Sequence, residues 1–76
     1  MSFLRNKAKV AETTPENQAA LVEAIKYYES YLAIVKAMDD RTLMGRAYGN
    51  LGNAHYRLGS FETAIECHLE RFELWL

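Results

Sequence analysis

Four polar side chains, Arg46, Asn50, Asn53 and Arg57, follow one another at steps of 4, 3 and 4 residues. On a helix those steps place all four on one stripe. A carboxamide carries both a donor and an acceptor, so Asn50 and Asn53 could bond the C=O and N–H of an extended peptide whatever its sequence. The arginines would add forked donors for carboxylates. Asparagine is a poor helix former, and two on one stripe argue for a purpose of the side chains over a merely solvated face. The other reactive groups are His55, Cys67 and His68. Cys67 and His68 are adjacent and diverge on a helix, and neither Cys-x-x-Cys nor His-x-x-x-His spacing occurs, so no bound metal is expected. A Cys–His nucleophile meets the same objection and lacks a third group to orient it. No catalytic residue and no cofactor is expected, and the chain does not read as an enzyme.

The elements that must carry the stripe are helices. One proline and four glycines are present, and the glycines cluster between residues 45 and 59, leaving long stretches free of helix breakers. Thr13-Thr14-Pro15-Glu16 reads as a helix start: a threonine can cap, Pro15 suits the first helical position, and Thr13 and Glu16 stand at capping-box spacing. From there Leu21, Ile25, Tyr28, Leu32 and Val35 form one apolar face, up to Asp39 and Asp40, either of which could cap the next helix. That helix runs from about Arg41 to Leu58, with Ala47, Tyr48, Leu51 and Ala54 inward. Gly45, Gly49 and Gly52 lie inside it, each at a cost of about 1 kcal/mol relative to alanine, which suggests close backbone approach by a neighbouring helix. Gly59 ends it in the left-handed region and Ser60 can cap a third helix, whose Phe61, Ile65, His68, Phe72 and Trp75 share one side. So short a link forces an antiparallel hairpin. Of the aromatic trio Tyr27, Tyr28 and Tyr31, the last two are expected to pack and Tyr27 to face outward.

Composition excludes several function classes. The 76 residues are 50% hydrophobic and 25% charged, a globular balance in at most one small domain. The net charge of −1 offers no broad footprint for nucleic acid. Arg5, Lys7 and Lys9 make the first residues locally basic, read as a solvated arm. A single cysteine, no secretory leader and no apolar run long enough to span a membrane lead to a cytoplasmic expectation without membrane insertion.

An internal repeat is the strongest single signal. Residues 21–34 align with residues 61–74 at an offset of 40, pairing Ala24 with Ala64, Ile25 with Ile65, and Leu21, Leu32 and Ile34 with Phe61, Phe72 and Leu74. The stretch from Arg46 to Leu74 resembles a tetratricopeptide repeat, on Tyr48, Leu51-Gly52 and Ala54 of a first helix, Gly59 and Phe61 of its turn, and Ala64-Ile65 of a second. His55, His68 and Arg71 depart from that pattern. With the 40-residue spacing and the Leu51-Gly52-Asn53 triplet, the departures are similar to the LGN/Pins group of G-protein-signalling modulators. The resemblance covers residues 20–76.

The resemblance implies an all-α solenoid fragment, in which one long helix is followed by an antiparallel pair. Residues 1–14 would be a weakly structured arm, 15–39 the second helix of a preceding repeat, and 40–76 one complete helix pair. It also implies that the first helix of the pair lines a concave groove, so that Arg46, Gly49, Asn50, Asn53, Tyr56 and Arg57 would meet a protein or peptide partner. A hairpin of this kind cannot cover its own apolar face, and the last residues bear no cap. Leu69, Phe72, Trp75 and Leu76 are therefore expected to form a stacking surface, and the chain to be a piece of a longer solenoid that forms homo-oligomers when isolated. The function expected is that of an adaptor, linked through the resemblance to cell polarity or G-protein signalling. The alternative is a structural unit that only stacks with copies of itself.

Overall fold

The computed structural model describes residues 14–76 as three helices joined by short turns: α1 (Pro15–Ala37), α2 (Arg41–Arg57) and α3 (Phe61–Glu73). The protein is all-α as expected, with no strand among the described residues. The basic arm of Arg5, Lys7 and Lys9 lies outside them.

Local chemistry sets the helix ends. Thr14 caps α1, its Oγ1 accepting the Asn17 N–H at 3.1 Å, with Pro15 in the first turn. This is one residue later than the Thr13–Glu16 capping box expected, because a proline at the first helical position makes its predecessor the cap. The two turns share one construction. After α1, the N–H of Asp39 donates to Lys36 C=O and that of Asp40 to Val35 C=O; after α2, Gly59 and Ser60 donate to Tyr56 and His55 in the same way. Both are Schellman closures, which require a left-handed residue. Asp39 supplies it at φ 57° and Gly59 at φ 86°. Both aspartates are therefore used, Asp39 to end α1 and Asp40 to begin α2, where its Oδ1 accepts the Leu43 N–H at 3.1 Å. Ser60 precedes α3, but its hydroxyl makes no capping bond. Its ψ of 71° departs from the extended value near 161° that Thr14 adopts.

α2 is the central element. Ala47, Gly49, Leu51, Gly52 and Ala54 are all buried on it, against α1 on one side and α3 on the other. Leu21 and Ile25 of α1 meet Leu51 and Ala54 in the core, bordered by Tyr28, Leu32, Leu58 and Cys67. On the other side α3 crosses α2 at three glycines. A methyl group on Gly52 would lie 2.6 Å from Nε2 of His68, and one on Gly49 3.2 Å from an Arg71 guanidinium nitrogen. Close approach thus explains Gly52 and, less strongly, Gly49. Gly45 is different: a methyl there would meet Leu74 at 3.8 Å, an ordinary contact. The expectation that all three glycines serve tight packing fails at Gly45, which lies where the hairpin opens.

Repeat-equivalent faces differ in their cover. Leu21, Ile25 and Val35 of α1 are buried, whereas Phe61, Ile65 and Trp75, forty residues on, are exposed. Ile25 is 8% accessible and Ile65 59%.

Candidate functional site

Arg46, Asn50, Asn53 and Arg57 are all exposed on α2. A helix rises about 1.5 Å per residue, so the stripe is roughly 16 Å long, the span of about five residues of extended chain. It occupies the part of α2 left between the faces covered by α1 and α3. Tyr56 is also exposed, with its ring tilted against Phe61 at a centroid distance of 5.3 Å. Gly49 is separate from the other five. It is buried, with the Arg71 side chain across it, so it belongs to the α2–α3 contact and not to the open stripe. The sequence places it within 3 or 4 residues of Arg46 and Asn53, but only the register of α3 reveals which way it faces.

Near its Arg46 end the stripe meets a recess of about 270 Å³ lined by Arg41, Gly45, Arg46, Arg71, Leu74 and Trp75 among others. No acidic side chain lines it. Arg41 donates from its guanidinium to the Leu74 carbonyl at 2.6 Å, across 33 residues of sequence. That bond satisfies a free carbonyl at the negative end of α3 and steers the guanidinium. Arg41 and Arg71 were not evident as site residues from sequence. The signal that could have found them is the hairpin itself: folding α3 back over α2 brings residues 71 and 74 against 45 and 49. Three guanidiniums beside Leu74 and Trp75 suit a carboxylate attached to an apolar body.

The remaining reactive groups do not converge. No group of three or more metal-binding side chains occurs among the described residues. His55 Nδ1 is buried and finds no hydrogen-bond partner among them. His68 lies on Gly52, and Cys67 borders the core. Burial, and then the charges of Glu66, Glu29 and Glu70, push the Cys67 thiol up from its usual range, opposite to what a nucleophile needs. Tyr27 is exposed and stacks on half-buried Tyr31 at 6.4 Å, while Tyr28 packs against the core. Leu69, Phe72, Trp75 and Leu76 are all exposed. No helix is long and apolar enough to cross a membrane among the described residues.

No protein-family model matches the chain, and no solved structure matches it. The chain is 50% identical over 50 residues to G-protein-signaling modulator 1 of Homo sapiens. The proteins of that name from Mus musculus and Rattus norvegicus show the same identity over the same length. The matched stretch takes in 66% of this chain, and the chain spans 7% of the length of each of these relatives.

Proposed function

We propose that the chain is a protein-interaction module of the tetratricopeptide kind that binds an extended, acidic segment of a partner along α2. The observation that carries this reading is the exposed stripe Arg46, Asn50, Asn53 and Arg57 continuing into the arginine-lined recess. Asn50 and Asn53 would hold the partner's backbone, which is the same in every sequence. Arg46 and Arg57, with Arg41 and Arg71, would select carboxylates by forked charge-assisted bonds. Tyr56 would supply apolar contact at the far end. Similarity to G-protein-signaling modulator 1 supports a role in G-protein signalling.

A displayed library of linear peptides, panned against the folded chain, tests this reading. Enrichment of peptides carrying aspartate or glutamate is expected. The double substitution Asn50→Ala with Asn53→Ala should weaken their binding by at least about tenfold, the scale of a hot-spot loss, with helicity retained. Failure to enrich acidic sequences, or binding indifferent to both asparagines, would sink the reading.

A further inference from the structure

We propose that the recess at the Arg46 end of α2 is a phosphate-monoester subsite, shaped for a phosphotyrosine of the bound partner. This deepens the peptide reading of the stripe and rests on it for the partner's course along α2. Gly45 supplies the first argument. Glycine inside a helix costs about 1 kcal/mol relative to alanine, and no tight contact with α3 accounts for this one. A methyl group there would meet only Leu74 at 3.8 Å and Arg71 at 4.0 Å. Gly45, Leu74 and Arg71 all line the recess, so that methyl group would suit the fold and fill space open to a ligand. Close approach by a bound group, and not by α3, therefore explains the glycine.

Charge supplies the second argument. Arg41 and Arg46 of α2 and Arg71 of α3 line the recess beside Leu74 and Trp75. Among the described residues the one ion pair joins Lys26 to Glu23, so no carboxylate there neutralises any of the three guanidiniums. Asp40, next to Arg41 in sequence, turns its Oδ1 to the Leu43 N–H instead. Arginine keeps its charge at any working pH. A carboxylate would bring such a cluster a single charge and a single pair of acceptor oxygens. A phosphate monoester brings nearly two charges at neutral pH and three strong acceptor oxygens, which match the three forks. The walls select the ester. Leu74 and Trp75 give the recess an apolar side, which the ring of phosphotyrosine covers better than the short stem of phosphoserine.

The test uses the complete chain and phenyl phosphate, the head group of phosphotyrosine. Trp75 is the only tryptophan and lines the recess, so its emission reports occupancy. Phenyl phosphate should change that emission saturably, and inorganic phosphate and benzoate should each bind at least about tenfold more weakly. An acidic peptide with phosphotyrosine should bind at least about tenfold tighter than its glutamate counterpart. Arg41→Gln and Arg46→Gln, both at exposed positions, should each weaken phenyl phosphate with circular-dichroism helicity retained. Gly45→Ala should weaken it too while raising the thermal midpoint, a split that a purely structural glycine does not give. Benzoate bound as well as phenyl phosphate would overturn the proposal, as would binding untouched by Gly45→Ala and Arg46→Gln. A phosphoserine peptide held as tightly as the phosphotyrosine one would equally overturn it. Asn50→Ala with Asn53→Ala should release the peptide and leave phenyl phosphate bound. Phenyl phosphate held by a chain that enriches no acidic peptide would sink the stripe and leave the recess standing, so the two failures are distinguishable.

Discussion

The contact of His68 with Gly52 is the tightest test of the hairpin at the residue scale. Glycine inside a helix costs about 1 kcal/mol relative to alanine, and here it is offset by the ring that packs onto it. Gly52→Ala should gain little alone, because His68 must swing away. In a His68→Ala background the same change should stabilise by about 1 kcal/mol, a coupling that a double-mutant cycle measured by urea unfolding would reveal. Gly45→Ala, with no tight contact, should stabilise by roughly 0.5–1 kcal/mol on its own. Cys67 tests the electrostatics. Its thiol is pushed up by burial and then by nearby glutamates, so the folded chain holds its proton to higher pH than the unfolded chain. The stability this adds is complete below the ordinary thiol range and is lost as pH rises through the folded value. Thiol-reagent rates plotted against pH should therefore show a higher midpoint for the folded protein than in denaturant. Equal midpoints would contradict the assignment.

Adjacent aspartates at the α1–α2 turn carry opposite consequences at the element scale. Asp40 accepts the Leu43 N–H, and Asp40→Ala should cost about 1 kcal/mol of unfolding free energy. Asp39 holds a left-handed conformation that glycine adopts without steric cost, so Asp39→Gly should raise stability by roughly 0.5 kcal/mol. Thermal melts of the two single variants should move in opposite directions. The matching turn after α2 already has glycine in that place, and a shared Schellman construction makes the two turns directly comparable.

On the scale of the whole molecule, one residue type at one repeat position separates covered from open surface. Ile25→Ala removes a side chain packed between α1 and α2 and should cost about 2–4 kcal/mol. Ile65→Ala, forty residues later, should change stability by no more than about 0.5 kcal/mol. Chemical denaturation of both variants gives the comparison directly. A similar cost at the two sites would mean that α3's face is covered in the protein as it stands. The same asymmetry explains why three helices are held by so small a core: α2 is shared between two neighbours, while α3 has one.

The sequence by itself determined the helices, the caps of α1 and α2 within a residue, the glycine that closes α2 and the polar stripe, but not the cap of α3, where Ser60 makes no bond. These follow from spacing and backbone preference, which act over three or four residues and can be read locally. It also carried the 40-residue correspondence between α1 and α3, because both stretches repeat apolar residues at the same helical spacing. Only tertiary structure decided that Gly49 is covered by Arg71, that Gly45 needs no tight contact, and that Arg41 and Arg71 join Arg46 at one recess. Each depends on the register of α3 against α2. Register is fixed by long-range packing, His68 on Gly52 foremost, and spacing along one chain segment does not specify how two segments align.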